Sequence, residues 1–246
     1  MNDWAPLKRV TQARIGLARA GAAVSTRELL EFQLAHAQAR DAVWHSWDTA
    51  ACASQLSAAG LHALVVKTRA HDRATYLRRP DLGRRLDPDS QPLLTAARTD
   101  PAAHVALILS DGLSATAVHE HGVHTALAVV SALQAAALSC SPVILAERAR
   151  VALSDEIGHT LGARVAIIVL GERPGLSAAD SLGMYLTYAP SPGNTDAQRN
   201  CISNVRAPNG LTPQLAAARL CNLVRRALAL QLSGVALKDD SAQLPG

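Results

Sequence analysis

The sequence predicts an α/β fold in which helices flank a mostly parallel sheet and a small helical part precedes that sheet. Apolar runs rich in Val, Ile and Leu alternate with helical patterns along most of the 246 residues. The clearest run, residues 163–170, is followed directly by Gly171 and Glu172. Runs of this length and composition are typical of strands buried on both faces. Because they alternate with helices, we expect parallel strands joined by right-handed crossovers.

Individual elements follow from the apolar period and from the residues at each end. Strands are predicted at residues 61–68, 105–109, 142–145, 163–170 and 184–188. Helices are predicted at residues 27–45, 49–59, 114–138, 151–161 and 213–232. Ser25 or Thr26 is suited to cap the first helix, and Gly234 to end the last. Residues 1–24 are predicted to be an irregular lead. We therefore divide the chain into an N-terminal part, residues 1–60, and a sheet domain, residues 61–246.

Composition excludes several classes of protein. Aromatic residues make up 3% of the chain, which argues against a stacking platform for single-stranded nucleic acid. The net charge of +4 is spread along the chain, so we expect no nucleic-acid partner. No apolar run reaches the roughly 18 residues of a membrane span, and the N-terminus lacks the pattern of a signal peptide. The four cysteines are far apart and form no Cys-x-x-Cys pair, as expected of a soluble cytoplasmic protein.

Common α/β ligand motifs are missing from the sequence. No two glycines are separated by a single residue, so the dinucleotide fingerprint Gly-x-Gly-x-x-Gly cannot occur. The sequence contains no Gly-Lys pair and therefore no P-loop. Ser114 follows Gly112, but Ala115 and Thr116 break the nucleophile-elbow pattern. These observations disfavour a dinucleotide enzyme and a hydrolase.

The histidines between residues 119 and 124 do not have the spacing of a helical zinc site. Such a site needs histidines four residues apart, whereas His119, His121 and His124 lie two, three and five apart. His121 and His124 share a face, but the sequence shows no third ligand near them. We therefore expect a surface or interfacial histidine cluster and no metal site.

Candidate binding residues follow the predicted strands, where open α/β sheets place their ligands. Glu172 is interpreted either as an ion-pair partner of Arg173 or as a hydrogen-bond acceptor for a ligand amide. Cys201 lies in a polar string, residues 199–204, although burial is the commoner fate of a cysteine. The arginine-rich residues 79–86 favour either a clamp for an anion or carboxylate, or an exposed salt-bridged loop. From these residues alone we infer a Rossmann-like binding domain with an unknown ligand.

Several strings resemble the small subunit of ethanolamine ammonia-lyase, and together they span nearly the whole chain. They are residues 32–43 (FQLAHAQARDAV), 79–86 (RPDLGRRL), 111–115 (DGLSA), 171–176 (GERPGL), 181–188 (SLGMYLTY), 199–204 (RNCISN) and 234–238 (GVALK). The resemblance implies a subunit of an adenosylcobalamin-dependent ammonia-lyase, which converts ethanolamine to acetaldehyde and ammonia by a radical mechanism. It implies a cytoplasmic hetero-oligomer and leaves open whether a bacterial microcompartment encloses it.

The resemblance also implies how the work is divided between two chains. The large subunit binds ethanolamine, and the small subunit helps to hold the cobalamin, so this chain alone is expected to be inactive and to supply no catalytic residue. The cobalamin contacts of the family fall on Val151, Glu172 and Cys201, which we expect to converge on one cleft. Residues 1–60, and the helix from Arg27 in particular, are the expected contact with the large subunit.

One absence in the sequence agrees with the family pattern. Cobalamin enzymes that use a histidine as lower cobalt ligand carry Asp-x-His-x-x-Gly, and none of the nine histidines has Asp two residues before it. The resemblance therefore implies a base-on cofactor, with no metal ligand from this chain. Two other classes stay open at this stage: a non-catalytic Rossmann-like module for a nucleotide or other ligand, and a scaffold that serves only the partner chain.

Overall fold

Strands and helices alternate through the described part of the chain. The computed structural model describes residues 4–11, 13–17, 19–21 and 23–238. Its N-terminal elements are α1 (Ala5–Lys8), β1 (Arg19–Ala20), β2 (Ala23–Val24), α2 (Thr26–Trp44) and α3 (Thr49–Ala58). The sheet region consists, in chain order, of β3 (Ala63–Lys67), α4 (Arg73–Arg78), α5 (Gln91–Ala96), β4 (Val105–Ser110), α6 (Ala115–Ala117), α7 (Val123–Ala135), β5 (Val143–Glu147), α8 (Leu153–Leu161), β6 (Val165–Gly171), β7 (Leu182–Tyr188), β8 (Arg199–Val205) and α9 (Pro213–Leu230).

Short helical turns lie between these elements. Turns of 3-10 helix occur at Leu82–Arg84, Pro88–Ser90, Asp196–Gln198 and Gly234–Ala236, and a π-helical turn at Val118–Gly122 joins α6 to α7. None of the helices in the described ranges is long and apolar enough to cross a membrane.

The predicted irregular lead contains a one-turn helix and a small hairpin. Strands β1 and β2 pair antiparallel over two residues each. Residues 1–3, 12, 18 and 22 of the predicted lead lie outside the described residues, as do residues 239–246 of the predicted sheet domain. Ser25 is the N-cap of α2, because its side-chain oxygen accepts a hydrogen bond from the backbone N–H of Glu28 at 3.3 Å. The division at residue 60 stays a prediction.

The six-stranded sheet confirms the α/β prediction. Its strand order is β3-β5-β4-β6-β7-β8, and the first four strands are parallel, whereas β7 and β8 pair antiparallel at one edge. Every residue of β4 and β6 is buried. Parallel neighbours need crossover connections, and the helices between the strands supply them. The carboxyl ends of the parallel strands therefore meet at one edge of the sheet.

Helices cover both faces of the sheet. On β4, Val105, Leu107 and Leu109 pack into one cluster with α3, α7 and α9. The alternate residues Ala106 and Ile108 pack into a second cluster with α5 and α8. This division follows from the two-residue period of a strand, which directs successive side chains to opposite faces.

The structure differs from the sequence prediction in three segments. The polar string at 199–204 is an edge strand, β8, which was missed because only Arg199, Ile202 and Val205 of that strand are buried. The long helix predicted at 114–138 is interrupted by the π-helical turn Val118–Gly122. Helix α9 ends at Leu230, where Gln231 takes the left-handed conformation, so Gly234 is not its terminus.

A buried ion pair joins β8 to helix α8. Arg199 donates from both terminal nitrogens to the two carboxylate oxygens of Asp155, each at 2.7 Å, and both side chains are 3% exposed. Burial raises the pKa of the Asp155 carboxyl above its ordinary value although Arg199 opposes the shift. The pair therefore lies where an unpartnered charge would be costly.

Replacing Arg199 by Ala is expected to lower the free energy of unfolding by about 3–5 kcal/mol, because Asp155 would be left buried without its partner. Urea denaturation followed by circular dichroism measures this change. The matched control is Arg27→Ala, which removes the exposed Arg27–Glu31 pair of α2 and should cost no more than about 1 kcal/mol. Equal stability of the two variants would contradict this assignment.

Candidate functional site

A buried carboxylate organises the loops at the carboxyl ends of the parallel strands. Asp111, which follows β4, is 4% exposed and accepts hydrogen bonds from Arg73 Nη1 at 3.2 Å and from the Arg148 backbone N–H at 2.6 Å. Burial raises the pKa of the Asp111 carboxyl, and the positive charge of Arg73 opposes this shift. Arg73 also donates to the carbonyls of Gly112 and Val43. Asp111 and Arg73 therefore connect α2, the β4 loop and the β5 loop.

The β4 and β6 loops touch through their backbones. Gly112 has φ +49°, and an added Cβ there would lie 2.4 Å from the carbonyl oxygen of Gly171. A Cβ on Gly171 would lie 2.1 Å from the carbonyl oxygen of Ser114. Real Cβ atoms do not approach backbone this closely, so both positions require glycine. This contact fixes where the chain leaves β6 and hence where Glu172 begins the next loop.

Serine hydroxyls and a backbone amide, rather than Arg173, hold the Glu172 carboxylate. Ser181 Oγ donates to Oε2 at 2.5 Å, and Ser203 Oγ donates to Oε1. The Asn204 backbone N–H also donates to Oε2, at 3.4 Å. Glu172 therefore joins the end of β6 to the start of β7 and to the exposed edge strand β8. Within the described chain Glu172 is thus a hydrogen-bond acceptor for serines and a backbone amide. Acceptance from a ligand amide stays a prediction.

Val151 and Glu172 line the same cavity. The cavity has a volume of about 420 Å³ and lies beyond the ends of β4, β5 and β6. The polar residues that line it are Glu172, Arg150, Arg173, Tyr76 and Tyr185. Volumes of about 300–1,000 Å³ are typical of small-molecule sites. The structure thus brings together two of the three predicted binding residues.

The third predicted residue, Cys201, lies beside this cavity on a strand and not at the tip of a loop. In the register of the sheet Cys201 is opposite Tyr185, which lines the cavity and influences the pKa of the thiol. Burial of the sulfur raises the pKa of the Cys201 thiol, Tyr185 opposes this shift, and the negative charge of Glu172 adds to it. The residue as a whole is exposed. The cavity and the exposed edge of β8 therefore form one continuous region.

Two lining residues were missed by the sequence analysis. Tyr76 lies on α4, which was not predicted, and its ring lies under the guanidinium groups of Arg73 and Arg150, with centroid distances of 5.0 and 4.2 Å. Its hydroxyl donates to the Ala149 carbonyl at 3.1 Å, and burial raises the pKa of Tyr76 to about 12. Asp72 caps the N-terminus of α4, and an aspartate in this position is the sequence feature from which that helix could have been predicted.

Arg150 is the second missed residue. It donates from Nη2 to the Tyr76 carbonyl at 3.2 Å, but its Nε is buried without a hydrogen-bond partner within the chain. A buried N–H of this kind costs free energy unless a partner satisfies it. Arg150 lines the cavity, so its guanidinium contributes a positive charge and N–H donors to that lining.

The other sequence candidates have structural roles in the described chain. Glu147 pairs with Arg148 at 2.6 Å, and Glu156 accepts the Leu86 backbone N–H at 2.9 Å. Arg79 pairs with Asp81 on the surface at 2.8 Å, which agrees with the exposed salt-bridged interpretation for that part of the loop.

The fold and the cavity define an α/β ligand-binding protein whose site lies beyond the carboxyl ends of its parallel strands. Carboxylate, guanidinium and phenol groups at this site are suited to hydrogen bonding with an amide-bearing or carbonyl-bearing ligand.

Sequence comparisons give the family. The profile of the ethanolamine ammonia-lyase light chain family matches residues 1–238. The chain is 51% identical to the ethanolamine ammonia-lyase small subunit of Ralstonia nicotianae, over 99% of this chain and 90% of that protein. It is 52% identical to the protein of the same name from Rhodopseudomonas palustris, over 96% and 89% of the two chains, and 50% identical to that from Pseudomonas fluorescens, over 98% and 87%. The chain belongs to the ethanolamine ammonia-lyase light chain family.

Replacing Glu172 by Gln is expected to lower the pKa of the Cys201 thiol. A nearby negative charge disfavours the thiolate, so its removal increases the thiolate fraction at a given pH. The labelling rate with Ellman's reagent, measured as a function of pH, should therefore reach its midpoint at lower pH in the variant.

Two controls accompany this measurement. Cys201→Ser identifies the signal of this thiol, and Glu31→Gln removes a carboxylate from the exposed face of α2. An unchanged midpoint in Glu172→Gln would show that the carboxylate and the thiol do not interact.

Proposed function

We propose that this chain is the small subunit of an adenosylcobalamin-dependent ethanolamine ammonia-lyase, a carbon–nitrogen lyase that converts ethanolamine to acetaldehyde and ammonia. In this proposal the large subunit binds the substrate, and this chain holds part of the cobalamin. The observation that carries the proposal is the shared position of Val151 and Glu172 on one cavity, with Cys201 beside it. Family membership supports the proposed reaction, and the cavity supports a direct part for this chain in cofactor binding.

The donors and acceptors of the cavity fit the periphery of a corrinoid. The corrin rim bears amide side chains, which present both N–H and C=O groups. Glu172 supplies carboxylate oxygens for an amide N–H, and the guanidinium of Arg150 supplies donors for an amide carbonyl. A cavity of about 420 Å³ is too small to enclose a corrin with its nucleotide tail. This chain would therefore cover part of the cofactor, and a second subunit would cover the rest.

Each residue has a distinct part in this proposal. Glu172 accepts a hydrogen bond from a corrin amide, and Val151 presents an apolar side chain to the cofactor. Cys201 and Tyr185 form the edge of the site that continues onto β8. When bound, adenosylcobalamin supplies the radical chemistry, whereas this chain positions the cofactor and excludes water from it. The cofactor keeps its own base on cobalt, and this chain contributes no catalytic residue.

Helix α2 is the proposed contact with the large subunit. Only Ala35 and Ala42 of its 19 residues are buried. Five large hydrophobic residues on it are exposed: Leu29, Leu30, Phe32, Leu34 and Trp44. Apolar surface concentrated on one helix is typical of a protein interface. We include residues 1–60, and the arginine-rich loop at 79–85, in this contact. The assembled enzyme is proposed to be a cytoplasmic hetero-oligomer, in some settings inside a bacterial microcompartment.

The isolated chain is expected to show no turnover of ethanolamine. Deamination should appear only when it is mixed with the large subunit and adenosylcobalamin, because substrate and cofactor sites are divided between two chains. Acetaldehyde formation coupled to alcohol dehydrogenase and NADH measures the reaction. Turnover by the isolated chain, or full turnover by the large subunit without it, would contradict the proposal.

Replacing Glu172 by Ala is expected to weaken cobalamin binding to the assembled enzyme by about 1.5–3 kcal/mol, the contribution of a hydrogen bond to a charged group. This corresponds to an increase of roughly 10- to 150-fold in Kd, measurable by equilibrium dialysis. Glu172→Gln keeps the shape of the side chain and should give a smaller loss. Asp89→Ala, at an exposed position outside the proposed subunit contact, serves as the surface control. Unchanged affinity in Glu172→Ala would remove this residue from the site.

A further inference from the structure

A second cluster of polar side chains lies where the π-helical turn meets the loop before β7. Glu120 and His121 lie in the turn, and Asp180 comes from the loop, 59 residues beyond His121. One oxygen or nitrogen atom from each residue lies within 4.8 Å of the other two. The spacing of the histidines could not show this cluster, because its third member is remote in sequence.

Two distances within this cluster are close to those between the ligands of one metal ion. His121 Nε2 is 3.3 Å from Asp180 Oδ2 and 3.7 Å from Glu120 Oε2. Two donors bound tetrahedrally to zinc at about 2.0–2.2 Å lie roughly 3.3–3.6 Å apart. Imidazole nitrogen together with carboxylate oxygen is a donor set that suits Zn²⁺ and other divalent first-row ions. We propose that Glu120, His121 and Asp180 form a binding site for such an ion, with Zn²⁺ as the representative.

Arg206 holds the aspartate of this site in place. Its Nη1 lies 3.3 Å from Asp180 Oδ1 and donates to the Ser177 carbonyl at 2.8 Å, and its side chain is 6% exposed. The other oxygen of Asp180, Oδ2, is thereby left facing His121. Ligating carboxylates are commonly oriented by such a hydrogen bond. The charge of Arg206 also opposes a bound cation, so we expect weaker binding than at a structural zinc site.

A cavity beside the cluster supplies an independent argument. The cavity has a volume of about 500 Å³, lies between α2 and the loop at 175–180, and is lined by Glu120 and Asp180 together with Asp41, His45 and Gln38. Three carboxylates thus border one space, and no Lys or Arg is among its lining residues in the described part of the chain. A divalent ion at the cluster would have three protein ligands and a further coordination position open to this cavity, as at zinc sites that bind a water or substrate.

This site is separate from the proposed cobalamin site. The two cavities share no lining residue. The proposal therefore does not depend on the cofactor, and it can be tested without the large subunit. In the competing arrangement there is no ion, and His121 hydrogen-bonds Asp180 directly.

Cobalt binding to the full, tag-free chain tests the proposal. Co²⁺ reports its coordination through visible absorption bands and should titrate to one ion per chain, with Zn²⁺ displacing it. His121→Ala and Asp180→Asn should each weaken binding by about 10- to 100-fold or more. His124→Ala, an exposed histidine one turn further on, should leave binding unchanged. Circular dichroism of each variant verifies the fold, and Asp180→Asn keeps the shape of the side chain.

Two results would overturn the proposal. One is the absence of a saturable one-to-one cobalt complex in the unmodified chain. The other is equal affinity in the unmodified chain, His121→Ala and Asp180→Asn, which would assign the bound cobalt to adventitious surface groups.

Discussion

The buried carboxylate of Asp111 is the constraint on which the binding region depends. It accepts hydrogen bonds from the Arg73 guanidinium on α4 and from a backbone amide of the β5 loop. Arg73 also donates to a carbonyl at the end of α2. These bonds lie where burial disfavours the charged carboxylate and raises its pKa, and the arginine and the amide both oppose that shift. Three loops that are far apart in sequence are held as one rigid edge, and the cavity lies directly beyond it.

The same region contains strained and incompletely satisfied groups. Arg148, a non-glycine residue at the end of β5, has φ 55°, in the left-handed region that favours glycine. Arg150 Nε and Arg73 Nη2 are buried without a hydrogen-bond partner within the chain. Strained backbone and unpaired buried groups persist only where the surrounding contacts hold them in place, and they are commonest at functional sites. Of these three residues, Arg150 lines the proposed cobalamin cavity.

The two proposed sites share the loop between β6 and β7, and each uses a carboxylate from a different end of it. Glu172, at its start, is engaged by serines and by the end of β8, whereas Asp180, near its end, faces the π-helical turn. The residues between them form one wall of the cavity beneath α2. Side-chain contacts thus fix both ends of this loop, and each end presents a carboxylate to a different cavity.

The sequence by itself determined the α/β class, the buried strands β4, β5 and β6, and the position of Glu172 directly after the last of these strands. These follow from local properties: an apolar run of strand length identifies a buried strand, and a carboxylate at its carboxyl end points to a binding edge. Tertiary structure alone decided that the polar segment containing Cys201 is an edge strand, because its pairing with β7 stabilises a pattern too polar to identify alone. It also decided that Arg150 and Tyr76 line the cavity and that Asp180 meets His121. Those contacts join residues far apart in the chain, and only the packing of helices on the sheet brings them within hydrogen-bonding distance.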